Sequence, residues 1–195
     1  AAETAEPDLR AAVTRVLEGL DREDARLVFE AILRASPGGL GEAPRHDVRS
    51  PPTVSLREAM AEAAARDRIA RQYESGFTDV FDVGLTALRR SLERSAEAKL
   101  ATLTVYLAFL TAFPDTHIVR KQGEAAGARV TRLAQSFFER IERGAGLDEL
   151  MGELIAWDGE LKRAAANPGT SADLTVATLF AAKLQSILRR DGNSD

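Results

Sequence analysis

The stretch Ala96–Phe113, AEAKLATLTVYLAFLTAF, decides the fold class. From Leu100 onward its apolar residues fall on every side of a 3.6-residue helix rather than along one stripe. A helix that is apolar all round belongs in the middle of other helices. Its apolar run, Leu103–Phe113, is too short to cross a bilayer, which takes about 20 residues. Pro114 stops it.

The flanking sequence supplies amphipathic helices to surround it. Asp8–Leu20 places Leu9, Val13, Val16, Leu17 and Leu20 on one face. Asp21 and Asp24 open a second helix, with Leu27, Val28, Ala31 and Ile32 inward and acidic charge at the end that suits the helix dipole. Ser55-Leu56-Arg57-Glu58 reads as a capping box for a helix running to about Glu74. Ser75-Gly76 breaks it, and Thr78–Ser95 resumes with Val80, Phe81, Leu85, Leu88 and Leu92. After Pro114 come Glu124–Gly144, Leu147–Ala166 with the one tryptophan, and about Ala172–Arg190. No segment alternates with period two, so the expectation is a compact all-α bundle of about eight helices, without a sheet, in a single domain spanning 1–195.

Composition narrows the chemistry. At 45% hydrophobic and 29% charged, the chain can bury a core and keep a solvated shell. The formal charge of −4 gives no general attraction to nucleic acid or to an anionic membrane. Cysteine is absent, which excludes disulfides, thiolate catalysis and Cys-ligated zinc. With two histidines, a His-rich metal cage is excluded too. The acidic N-terminus has no basic region of the kind that opens a signal peptide. The cytoplasm is the expected location.

Chemistry is therefore sought in three polar loops. The first, Ser36–Thr53, begins SPGGLGEAPRHDVR. Gly38 and Gly39 would let backbone N–H groups approach a phosphate, Glu42 and Asp47 could ligate Mg²⁺ or act as a base, and Arg45 and Arg49 could pair with phosphate oxygens. The plainer reading is a surface Ω-loop of turn glycines and solvated charges. The second, PDTHIVRKQG at Pro114–Gly123, offers Asp115, His117, Arg120 and Lys121. Together they could hold a metal–polyphosphate, whereas separately Asp115 reads as a helix N-cap and His117 as a hydrogen-bonded, half-buried histidine. The third, NPGTSAD at Asn167–Asp173, could bind an anion at a helix N-terminus, or could simply end one helix and cap the next with Thr170 or Ser171.

Weaker candidates are Asp79 and Asp82, three apart on one helix face and within joint reach of a metal, and Tyr73, Phe77 and Phe81, which read better as core than as a base-stacking platform. Both histidines fall inside polar loops rather than on apolar faces, which favours a site.

In their order along the chain, SPGGLGEAPRHDVRSPPT, PDTHIVRKQG and NPGTSADLTVATLF resemble the triphosphoribosyl-dephospho-CoA synthase family, over about Leu9 to Ile187. The last segment looks like that family's C-terminal signature. The resemblance implies an all-α fold and a transferase that takes ATP and 3′-dephospho-CoA, releases adenine and joins a triphosphoribosyl group to the acceptor, with Mg²⁺ expected.

That chemistry suggests roles. Glu42 and Asp47 are expected near the ribose, where an unprotonated carboxylate steadies positive charge. His46 or His117 would handle protons. Asp115 and Asp173 are the metal candidates. Gly38, Gly39, Arg49, Arg120, Lys121, Asn167, Gly169, Thr170 and Ser171 are candidates for nucleotide and phosphate binding.

Two departures from the family pattern carry further expectations. Family members look longer, with a Lys-Pro-Gly-x-Val segment in an N-terminal half that this sequence lacks. The chain is therefore expected to be the C-terminal part of a larger domain, completed by more chain, by a homo-oligomer or by a separate N-terminal partner. The GLGEAPRHDVR stretch looks like a variant branch. That keeps open a different phosphorylated cofactor or nucleotide, as in one-carbon or pterin metabolism, and a non-catalytic helical binding or assembly subunit. No nucleic-acid or membrane partner is expected.

Overall fold

The structure, a computed structural model, describes residues 8–35 and 41–191. Among them every regular element is helical: ten α-helices and one π-helical segment, with no strand. The all-α expectation holds. The count exceeds eight because one expected helix is split in two and the polar segment after Pro114 forms a helix of its own. Contacts group the described chain into two units, 8–78 with 184–191, and 79–183.

The first unit holds α1 (Leu9–Gly19), α2 (Arg22–Ala35), α3 (Leu56–Ala63) and α4 (Arg68–Ser75). Asp8 caps α1 by accepting from the Ala11 N–H. Leu9, Leu17, Ala25, Phe29, Leu56, Ala59 and Ala70 are buried and form its core. The Ser55–Glu58 capping box is present: Ser55 Oγ accepts from the Glu58 N–H and the Glu58 carboxylate accepts from the Ser55 N–H. The continuous helix expected to Glu74 is interrupted by Asp67, whose carboxylate accepts from the Ile69 and Ala70 N–H groups and so starts α4 afresh. Aspartate competes with the helix for its own backbone donors, which is why it breaks here. Gly76 ends α4 with a left-handed φ of 71°.

The second unit opens with a π-helical turn, Val80–Gly84, that runs into α5 (Leu85–Arg94). Then come α6 (Ala98–Ala112), α7 (Thr116–Gln122), α8 (Glu124–Glu142), α9 (Leu147–Arg163) and the first fifteen residues of α10 (Gly169–Asp191), to Lys183. The π-turn sets Gly84 hard against Thr178 and Phe109: a Cβ there would collide with Thr178 Oγ1 and lie 2.8 Å from Phe109 Cζ.

Helix α6 has eight of its fifteen residues buried, spread round its circumference, as its all-apolar pattern predicts. Leu107, Leu110, Ile118, Val130, Ile141, Leu150 and Trp157 share one cluster that ties α6 to α7, α8 and α9. Each buried aliphatic or aromatic side chain of this kind contributes about 1.5–3 kcal/mol. Trp157 stacks on Phe137 with ring centroids 5.3 Å apart. Short α7 is held close to α8 at Gly127, where a Cβ would meet Val119 Cγ2 at 2.7 Å and Pro114 Cβ at 3.1 Å. These contacts fix where α7 begins, and its beginning is where the polar residues gather. No described helix is long and apolar enough to cross a membrane.

Candidate functional site

Within the second unit, the N-termini of α7 and α10 meet, and they cap each other. Asp115, the N-cap of α7, is fully buried. Its Oδ1 accepts from the N–H groups of His117 (3.0 Å) and Ile118 (3.3 Å). Its Oδ2 reaches α10 and accepts from both the N–H and the Oγ–H of Ser171, each at 2.8 Å. In the other direction, Thr170 Oγ1 accepts from the His117 N–H at 3.2 Å and shares a 3.0 Å hydrogen bond with Thr116 Oγ1. The expectation that Thr170 or Ser171 caps its own helix is thus replaced by an exchange, in which each side chain serves the neighbouring helix.

A carboxylate has about four lone-pair positions. Asp115 has four donors on them. A helix N-terminus attracts an anion, and here the anion is already present as the Asp115 carboxylate. Ser171, fully buried, spends its donors on it.

The His117 ring lies over Gly169, where a Cβ would be 3.0 Å from Nδ1. Its Nε2 is buried without a hydrogen-bond partner. Loss of hydration, then the nearby Lys121 and Arg120, pulls the imidazole below its ordinary value of 6.5, with Asp115 and Asp173 opposing. Those influences favour the neutral ring. An unsatisfied buried ring nitrogen carries a desolvation cost that a bound group can relieve. Asp173 is exposed, yet its carboxyl is pushed up, first by loss of hydration and then by Asp115. Burial pushes the Tyr106 phenol well up, with Asp115 and Asp158 adding to it. Asn167 and Lys121 are exposed and Arg120 is half-buried.

The first loop belongs to the other unit. Gly38 and Gly39 lie outside the described residues. From Gly41 on, Asp47 organises the loop by accepting from the Ala43 N–H (2.8 Å) and the Arg49 N–H (2.9 Å). These bonds, and then the Arg49 guanidinium, hold its carboxyl below the usual range. Arg49 pairs with Asp47 and donates to the Gly41 carbonyl, and Arg45 pairs with Glu62. His46 takes a left-handed φ of 51°, and Glu42 is exposed.

Among the described residues no three His, Asp or Glu side chains gather where they could hold a metal ion. Asp115 could bind one only by surrendering N–H donors. Among the described residues no ready-made protein cage for magnesium is present, and an ion held mainly by substrate phosphates needs only one or two carboxylates.

The family's sequence profile for ATP:dephospho-CoA triphosphoribosyl transferase matches residues 1–191, nearly the whole chain. The chain belongs to the ATP:dephospho-CoA triphosphoribosyl transferase family. One curated relative within reach is the "Probable 2-(5''-triphosphoribosyl)-3'-dephosphocoenzyme-A synthase" of Stutzerimonas stutzeri (strain A1501), 32% identical over 115 residues. That match covers 58% of this chain and 38% of the relative. No solved structure matches. Two of the segments that carry the family resemblance, PDTHIVRKQG and NPGTSAD, are the ones that meet at Asp115 and Ser171. What local sequence reading missed is that they meet through each other's caps. The signal available was an acceptor-rich cap position in one segment and surplus hydroxyl and N–H donors in the other.

Proposed function

We propose that the protein transfers a triphosphoribosyl group from ATP to the 2′-hydroxyl of 3′-dephospho-CoA, with release of adenine. The observation that carries this is the pairing of the α7 and α10 N-termini around His117, in a chain whose family is named for that reaction. The C1′–N9 bond of ATP breaks and a C1′–O bond to the acceptor forms. The acceptor gives up its hydroxyl proton and adenine takes one up. A histidine whose lowered pKa favours the neutral ring and whose Nε2 has no hydrogen-bond partner suits the first transfer, because it has no competing bond to break. Arg120 and Lys121, in the last turn of α7, are the cations on that helix suited to a triphosphate. Magnesium enters this scheme with the triphosphate, as substrate. Gly169, Thr170 and Asp173, on α10, lie near His117, and Asn167 just precedes that helix; these complete the candidate set. Glu42, His46, Asp47 and Arg49, in the first unit, stand as separate candidates on the chemistry of their own loop.

The test is to supply ATP and 3′-dephospho-CoA and follow adenine, comparing wild type with His117→Ala. Adenine release that collapses in the variant supports the proposal. No adenine, together with no thermal shift by either nucleotide, ends it. A larger shift by a different phosphorylated cofactor moves the assignment to that ligand.

A further inference from the structure

We propose that Asp115 is a positioning residue: one buried carboxylate that locks the N-termini of α7 and α10 together and thereby sets His117 against Gly169 and Thr170. It rests on the reading of this place as the transferase site, but its central test does not.

The residue type is dictated by what surrounds it. Four donors converge on the two oxygens, from His117, Ile118 and twice from Ser171. An acceptor-only group satisfies all four, and an amide cannot, because its NH₂ would face donors. Both helix ends carry partial positive charge from their aligned peptides, which compensates the buried carboxylate without any cationic side chain. The geometry is also over-determined. The His117 N–H is shared between Asp115 Oδ1 and Thr170 Oγ1, so α7 and α10 are tied at both Asp115–Ser171 and Thr170–His117. The field of the carboxylate reaches the groups around it and disfavours ionisation of Asp173 and Tyr106. Asp115 thus prepares the site without touching the substrate.

The test uses Asp115→Asn. Its Oδ1 can still accept from His117 and Ile118, while its amide faces Ser171, so the variant releases α10 and spares the α7 cap. Amide exchange at Ser171 should speed up by about tenfold or more, with Ile118 changed by much less. The His117 ring resonances should move. In the adenine assay kcat should fall by about tenfold or more while KM for ATP stays within about threefold, as expected when a positioned group is displaced rather than a binding group removed. If the variant does not fold, Ser171→Ala, which keeps the N–H bond and loses the Oγ bond, serves instead. It should show the same pattern with smaller changes. Unchanged Ser171 exchange and unchanged His117 resonances would overturn the proposal. So would Mg²⁺ shifting the Ser171 and His117 signals of wild type but not of Asp115→Asn, since Asp115 would then be a ligand. If the protein has no transferase activity, exchange and resonances still decide the role of Asp115, and the transferase reading fails separately.

Discussion

Gly169 leaves room for the His117 ring: a Cβ at that glycine would stand 3.0 Å from Nδ1 and 3.4 Å from Cγ. Gly169 is the first residue of α10, where alanine is the better helix former by up to about 1 kcal/mol. Gly169→Ala should therefore hold or raise thermal stability while pushing the imidazole aside by a few tenths of an ångström. Adenine release should drop by about tenfold, since small misplacements of a reacting group are costly. Calorimetry and the adenine assay on the same preparation check this. Full activity in the variant would show that the ring position does not matter.

Asp173 offers a test by pH. Its carboxyl in the folded protein is raised above the ordinary value of 3.8. The folded state then holds that proton more tightly than the unfolded state does. Between 3.8 and the raised value, stability falls as pH rises, and above that window the full cost remains. Asp173→Asn should melt higher than wild type at pH 7, with the difference vanishing below about pH 4. A variant that melts lower at pH 7 contradicts this.

The opposite sign applies to His117. Its folded value lies below 6.5, so the folded state favours the neutral ring. That contribution is fully present above 6.5 and is lost as pH falls through the window beneath it. If His117 accepts the hydroxyl proton, the acidic limb of kcat/KM for adenine release should have its midpoint below the ordinary histidine value. A limb centred above that value excludes His117 as the base.

Gly84 can be tested by stability alone. Its Cβ would collide with Thr178 Oγ1 and Cγ2 and with Phe109 Cζ. Phe109 and Thr178 are fully buried, so neither can move into solvent. Gly84→Ala should cost about 1–3 kcal/mol in urea unfolding, as overpacked cores do. Adding Thr178→Ala, which deletes two of the three clashing atoms, should recover part of the loss. No loss in the single variant would mean that the π-turn relaxes freely.

Much of the fold is legible in the sequence because its causes are local. The all-round apolar character of α6, the Ser55–Glu58 capping box and the cap at Asp115 each follow from residues within a turn or two of one another. Asp67 does not stand out as a helix start because Ala61–Arg66 before it and Arg68–Glu74 after it both read as good helix, and only its side-chain bonds reveal the break. The π-turn at Val80–Gly84 packs its Gly84 against Thr178, far along the chain, a contact no local pattern announces. The candidate site divides in the same way. His117, Gly169 and Thr170 stand out in the sequence because they fall in its polar, Pro- and Gly-containing segments. The bonds of Asp115 to Ser171 could not be read locally, because they join positions 56 apart. Local reading made Asp115 a metal ligand or a simple cap and could not see the second helix that fills its remaining lone pairs.

That separation has a consequence for how the molecule assembles. A contact across 56 residues closes a loop that contains all of α8 and α9, and loop-closure entropy must be met before such a contact can stabilise anything. The Asp115–Ser171 lock is therefore expected to form after the local contacts of α8 and α9. The α7–α10 junction becomes a checkpoint for completed folding. Lesions buried far from it, in the Phe137–Trp157 stack for example, should loosen the joined helix ends.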